Sequence, residues 1–407
     1  MVAVRYTTLQ VLGDKWWVIL PAFVVSLIAT PIFRAVAYRK KVVDRPDDLL
    51  KPHGRPVAYL GGLGIWLGMM IGLGGYTLAL PNLGEEWSGA MGDLSSLSLV
   101  SLLSNPLWNL LGIMLSSTVI MVVGLLDDLK NLRPKQKITG QVLAAGVLMA
   151  GGVGLRAARL FFLGLHFDPP AWLYVPPSVV LCLIFVIGAC NATNLLDGLD
   201  GLCGGVTGII ALGFLVLAVW LATWEGDPDT HTLRIGLALA MAGAVLGFLP
   251  YNVPPASIFM GDAGSMLLGF FVAIMVALFC RDGKPNWLLA ALGIYALPIL
   301  DTSLALVRRL LSGKSIFAGD RSHLYDQLVD RGMSVKQVVA LFYALSIGAA
   351  ALAVAVAIWL RFRYAAIVYT VLFAVAWYIF WKAGLIRPAP HVPKFDKSGH
   401  PPPGDGQ

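Results

Sequence analysis

Eleven apolar runs, separated by short polar stretches, set the reading of this chain. They lie near 16–36, 57–80, 107–126, 138–153, 174–190, 203–224, 233–250, 264–280, 287–307, 337–359 and 364–384. A helix needs about 20 apolar residues to cross the hydrocarbon core of a bilayer. The pattern therefore predicts an all-α, polytopic integral membrane protein of about 10–11 transmembrane helices. The fourth run is short and Gly-rich. After it, RLFFLGLHF (159–167) is rich in Phe and Leu and runs into Pro169-Pro170. That stretch predicts a small hairpin or interfacial segment rather than a helix. The first run is long and followed by Arg39-Lys40-Lys41, which suits an uncleaved anchor.

Composition agrees with the pattern. Of 407 residues, 57% are hydrophobic and 13% charged, with mean hydropathy +0.76; no soluble core hides that much apolar surface. The formal charge of +7 does not indicate nucleic acid, because the cations sit in loops between apolar runs. One set of loops holds 34–55, 130–137, 308–336 and the tail. Counting Lys382 with the tail, it contains 21 of the 30 Lys and Arg. Cation-rich loops stay in the cytoplasm, so the amino end is predicted outside and the carboxyl end inside. Residues 1–386 read as one integral membrane domain, and the Pro- and Gly-rich 387–407 as a disordered cytoplasmic tail. Cys182, Cys190, Cys203 and Cys280 have no metal-like spacing and read as buried hydrophobes.

The acids and amides fall at four span ends, all on the predicted cytoplasmic side. They are GLLDDLKNLRPKQKITGQ (124–141), NATNLLDGLDGL (191–202), PYNVPPASIFMGDAGS (250–265) and RRLLSGKSIFAGDRSHLYDQL (308–328). Each has a plainer reading on its own: a helix cap, a solvated loop, a Gly-Asp turn. Together they outweigh it, because acids beside hydrocarbon are costly unless paired, hydrated or metal-bound. In NATNLLDGLDGL the polar residues recur every third position, which on an ideal helix drifts by about 60° per step. The helix is therefore predicted to end there, with Asn191 and Asn194 on its last turn and Asp197 and Asp200 on a glycine-loosened loop.

Carboxylates with amide oxygens are hard ligands that suit Mg²⁺, or Mn²⁺, rather than zinc. Lys, Arg and His among them suit phosphates. The phosphate loop GxxxxGK[ST] is absent, which excludes that class of nucleotide-hydrolysing motor. A phosphate site bounded by lipid-facing helices suggests phosphoryl transfer between a soluble nucleotide and a membrane lipid.

The four segments, in this order, resemble those of the polyprenyl-phosphate N-acetylhexosamine-1-phosphate transferases. The likeness runs from about 40 to 340, and VDRPDDLLKPHGRPVAYLGG (43–62) looks like the family's first cytoplasmic loop. The resemblance implies an enzyme of the bacterial inner membrane. A polyprenyl phosphate, such as undecaprenyl phosphate, attacks the β-phosphorus of a UDP-N-acetylhexosamine and UMP leaves. By motif position it implies Asp127 and Asp128 in the catalytic centre, one of them deprotonating the lipid phosphate. Asp262, with Asp128, would hold the metal, and His323 would contact the donor. Lys137, Asn191, Asn194, Asp197, Asp200, Asn252 and Arg321 would bind substrate. The N-acetylglucosamine branch reads His-x-His-His-Arg where this chain has His323-Leu324-Tyr325-Asp326-Gln327, a departure that bears on the donor sugar.

Three alternatives remain in view. The first is a peptidoglycan translocase with a peptide-bearing donor, and the second a lipid-binding scaffold that has lost catalysis. The third is a lipid transporter, which would place polar residues near mid-membrane. The sequence is compatible with a homodimer and does not specify one.

Overall fold

A computed structural model describes residues 6–13, 15–44, 56–78, 103, 105–164, 167–225, 228–280, 284–313 and 323–386. Arg321, most of the first loop and the tail 387–407 lie outside the described residues.

The chain runs through α1 (Thr8–Leu12), α2 (Ile19–Lys40), α3 (Gly61–Leu78), α4 (Pro106–Lys130), α5 (Pro134–Ala150), α6 (Arg159–Gly164), α7 (Ala171–Leu196) and α8 (Leu202–Glu225). It continues with α9 (Pro228–Asn252), α10 (Gly261–Cys280), α11 (Pro285–Ile294), α12 (Ala296–Leu311), α13 (Leu324–Asp330), α14 (Val335–Trp359) and α15 (Phe362–Lys382). Among the described residues, eight helices are long and apolar enough to cross a membrane, or nine with α11 and α12 taken as one bent span. The remaining two predicted runs are also helical but short. The apolar part of α3 covers Gly61–Tyr76, and α5 has 17 residues, a rise of about 26 Å.

Two predictions need correction. The ninth run is not one helix: it breaks at Tyr295 and turns by 73°. RLFFLGLHF contributes a short helix, α6, rather than a hairpin. In an apolar setting a helix satisfies its backbone groups internally, whereas a lone hairpin leaves two open edges. The four cysteines are free and buried, as expected.

Helix α10 lies at the centre. Almost every residue from Gly261 to Cys280 is buried, and it packs against α3, α4, α7 and α11. A helix that is apolar all round belongs inside a bundle. At its carboxyl end, Arg234 from α9 donates to the Leu278 carbonyl at 2.5 Å and lies over the Phe279 ring, a favourable place for a cation. At its amino end, a two-stranded ribbon forms the approach: β1 (Val43–Asp44) pairs antiparallel with β2 (Val57–Ala58). The Ala58 carbonyl accepts from the Phe259 N–H at 2.8 Å, and the Gly62 N–H donates to the Met260 carbonyl at 2.9 Å. The first loop thereby clamps the segment that leads into α10.

Candidate active site

Four helix ends meet where α10 begins. Helix α4 approaches closely because residue 124 is glycine: a Cβ there would sit 2.5 Å from the Ala263 Cα. The last turn of α4 thus delivers Asp127 and Asp128 to the first turn of α10. Asp128 caps it, accepting the N–H groups of Asp262 at 2.7 Å and Ala263 at 3.1 Å. These are otherwise orphaned donors at the positive end of the helix, where a carboxylate is stabilised. Gly261, with φ +69°, makes room: a Cβ there would lie 2.6 Å from an Asp128 carboxylate oxygen.

Asp262 is thereby held at the centre of a polar knot. Its Oδ1 accepts from Asn194 Nδ2 at 2.7 Å, and its Oδ2 pairs with Lys137 Nζ at 2.7 Å. Asn194 Nδ2 also donates to Ser265 Oγ at 2.9 Å. The same Lys137 ammonium contacts buried Asp127, whose Oδ1 accepts the Leu132 N–H at 2.7 Å. One cation therefore bridges acids from two helices. Burial disfavours the charged Lys137, but Asp262 and Asp127 outweigh it and hold the ammonium above its usual range.

Helix α7 ends at Leu196, with Asn191 and Asn194 on its last turns and Asp197 and Asp200 on the turn that follows. Gly201 takes φ +75° there. This is the geometry predicted for NATNLLDGLDGL. Burial, together with the carboxylates of Asp262, Asp128 and Asp200, pushes Asp197 well above the ordinary carboxylate range.

Three residues predicted to line the substrate pocket act as braces in the structure. Asn191 donates to Gln141 Oε1 at 3.0 Å and to the Ile187 carbonyl at 2.7 Å, tying α7 to α5. Asp200 accepts the Ala256 N–H at 2.8 Å. Asn252 is buried, accepting the Gly201 N–H at 3.1 Å and donating to the Ile258 carbonyl at 3.0 Å. Each joins two separate segments of the chain, a role that spacing alone does not reveal.

His323 stands at the start of α13, joined to the knot through Tyr325. The Tyr325 hydroxyl donates to the Leu195 carbonyl at 3.0 Å, on the last turn of α7, and its ring stacks on His323 with centroids 5.5 Å apart. Gln327 is buried and donates to the Leu385 carbonyl at 3.2 Å. The two outermost departures in this loop, Tyr325 and Gln327, therefore point into the protein. Asp326 accepts the His323 N–H at 3.3 Å. Burial pushes the Asp326 carboxyl up to about 7, against the opposing pull of His323.

A sequence model of the family described as Glycosyl transferase family 4 matches residues 110–279, from α4 through α10. The chain is 31% identical over 337 residues to the "Probable undecaprenyl-phosphate N-acetylglucosaminyl 1-phosphate transferase" of Bacillus subtilis (strain 168), spanning 82% of this chain and 83% of that protein. The chain belongs to glycosyl transferase family 4. It is also 30% identical to the "Decaprenyl-phosphate N-acetylglucosaminephosphotransferase" of Mycobacterium tuberculosis (strain ATCC 25618 / H37Rv), over 80% of this chain and 78% of the relative. A third relative, the "Phospho-N-acetylmuramoyl-pentapeptide-transferase" of Shouchella clausii, is 28% identical over 85% of this chain and 99% of its own.

Two residues of this family 4 chain escaped sequence reasoning. Burial raises the phenol of Tyr59, just after β2, and the charges of Asp44, Asp128, Asp197 and Asp262 add to it. Asp301, buried on α12, binds His323 Nδ1 at 2.9 Å. A signal for Asp301 exists in the sequence, since it is the lone acid within an apolar run, LPILDTSLAL (297–306).

Proposed function

We propose that this chain transfers an N-acetylhexosamine 1-phosphate from a UDP-sugar to undecaprenyl phosphate, releasing UMP and leaving a polyprenyl-diphosphate sugar that begins a cell-envelope polysaccharide. Membership of family 4 and the printed activities of the two N-acetylglucosamine relatives support the reaction class. The observation that carries it is the Asp127–Lys137–Asp262–Asn194 knot at the mouth of a largely apolar bundle.

Among the described residues no three His, Cys, Asp or Glu side chains form a cage for a metal. Mg²⁺ needs none: it keeps waters and is bound through one or two carboxylates plus substrate phosphates. Asp262 fits that part, being partly exposed with lone pairs left on both oxygens. Asp128, with both oxygens on α10 backbone donors, orients Asp262. Bound there with the donor, Mg²⁺ would neutralise charge on the diphosphate.

The chain's own residues supply the rest. Lys137 offers its ammonium to the phosphates. Asn194 and Asp128 keep Asp262 fixed, which spares reorganisation during the reaction. A phosphate monoester has a second pKa of about 6, so the acceptor reaches the site largely as the dianion. Its oxygen forms the new bond to the β-phosphorus as the bond to the UMP oxygen breaks. No base and no covalent aspartyl intermediate are required, since positioning and charge neutralisation suffice. The charge asymmetry of the loops supports an inner membrane location with this site facing the cytoplasm.

The test is direct. Purified protein is incubated with Mg²⁺, undecaprenyl phosphate and a panel of UDP-sugars, including UDP-N-acetylmuramoyl-pentapeptide, and UMP is measured. Lipid-dependent UMP from a UDP-N-acetylhexosamine is the expected result. Its absence with every donor refutes the transferase reading, and release from the pentapeptide donor alone moves the chain to the peptidoglycan branch.

A further inference from the structure

Asp301 and His323 form a buried acid–imidazole pair outside the acid knot. Both are nearly inaccessible, at 1% and 3% exposure. Asp301 Oδ2 lies 2.9 Å from His323 Nδ1, and Oδ1 accepts the Leu324 N–H at 2.7 Å. With Oδ1 already accepting from the backbone and Oδ2 accepting from the ring, Nδ1 is the donor of the pair and carries the ring proton. One face of the ring is held by Tyr325 at an interplanar angle of 8°. Nε2 is hydrogen-bonded to no described residue. The ring is thus fixed in tautomer, in tilt and in depth, with one nitrogen unengaged by any described residue.

A carboxylate inside an apolar helix is costly unless it has a task. Capping alone does not explain it, because α13 has seven residues and Asp326 also serves its amino end. We propose that Asp301 is a positioning residue: it fixes the His323 imidazole so that Nε2 meets a phosphate oxygen of the nucleotide-sugar donor. This rests on the transferase reading above. With Nδ1–H given to Asp301, Nε2 takes up a second proton from solvent as the donor binds, and the imidazolium so formed donates Nε2–H to the phosphate oxygen while the carboxylate opposite balances its charge. Asp301 itself touches no substrate.

The experiment is a double-mutant cycle on the full chain, read as steady-state UMP release and as thermal melting in detergent. Asp301→Asn keeps an acceptor for the Leu324 N–H but presents a donor to Nδ1, which then cannot be protonated, so the ring stays neutral and loses the charge it would offer the phosphate. A loss of at least tenfold in kcat is expected, with KM for the donor changed far less. In a His323→Gln background the same substitution should change kcat less than twofold, because Asp301 has no ring left to position. A merely structural Asp301 would lower kcat equally in both backgrounds, and that result overturns the proposal. So does an Asp301→Asn enzyme within twofold of wild type. If Asp301→Asn does not assemble, Asp301→Glu is compared in the two backgrounds by the same criterion. A wild type that releases no UMP with any donor refutes the transferase reading and this role together, whereas an active wild type with an unaffected Asp301→Asn refutes this role alone.

Discussion

Gly261→Ala is the sharpest perturbation the site offers, because residue 261 touches no substrate in the proposed reaction. Its φ of +69° is a left-handed conformation, which costs an L side chain about 1–2 kcal/mol. The new methyl carbon would sit 2.6 and 2.8 Å from the two Asp128 carboxylate oxygens. That carboxylate must move, and each hydrogen bond it gives up from the Asp262 or Ala263 N–H is worth about 1.5–3 kcal/mol. Losing one bond on top of the backbone strain comes to about 2.5–5 kcal/mol. If about 2 kcal/mol of that falls on the placement of Asp262 in the transition state, the rate drops about 30-fold. The assay is the initial rate of lipid-dependent UMP release beside the melting temperature in detergent. Gly188→Ala is the control: nothing lies within 4 Å of its added Cβ, and a mid-helix alanine gains about 0.5–1 kcal/mol over glycine. A Gly261→Ala enzyme as fast as the Gly188→Ala control would show that Asp128 does not set the position of Asp262.

Three further predictions concern charge, the carboxyl end and pH. Lys137→Met leaves Asp127 and Asp262 facing each other without their cation, so turnover should fall at least about 100-fold in folded protein; kinetics within fivefold of wild type would remove Lys137 from the phosphate site. A chain ending at Ile386 should match the full chain in rate and melting temperature, whereas one ending at Lys382 loses the Ala383 and Leu385 carbonyls. Arg331, Arg308 and Gln327 donate to those carbonyls, so the shorter chain should melt several degrees lower, and equal melting would refute the clasp. Burial raises the folded-state pKa of Asp326 to about 7, against about 3.9 in an unfolded chain. The unfolded state thus releases this proton first, and stability drains as pH rises from about 4 to about 7. Asp326→Asn should flatten that slope in a pH series of melting curves, and an unchanged slope would refute the assignment.

What could be read from the sequence divides along physical lines. Long apolar runs are imposed by lipid, so all eleven came out helical, and the end of α7 followed from Gly198 and Gly201 in NATNLLDGLDGL. The break at Tyr295 was hidden because Pro298 sits in the first turn of α12, where proline fits without disturbing a helix. In the site, residue types pointed to phosphate and metal chemistry, and Asp127, Asp128, Lys137, Asn194 and Asp262 do converge. Their division of labour was not legible. Whether an amide such as Asn252 faces a ligand or braces a loop depends on contacts made across 50 or more residues. Asp301 lies inside an apolar run 22 residues before His323, and only the fold brings the two together.

The seclusion of α10 has a mechanical consequence. Little of α15 is buried along its spanning window, which leaves it to face lipid, whereas α10 is buried throughout. A bilayer thinner or thicker than the native one strains first the helices it wets, by tilt and local deformation. The acid at the head of α10 is shielded from that strain by a full ring of neighbours. Hydrophobic mismatch should therefore alter how the lipid acceptor presents its phosphate before it alters the grip on the nucleotide sugar. In bilayers of graded acyl length, the Michaelis constant for the polyprenyl phosphate would drift while that for the soluble donor held steady.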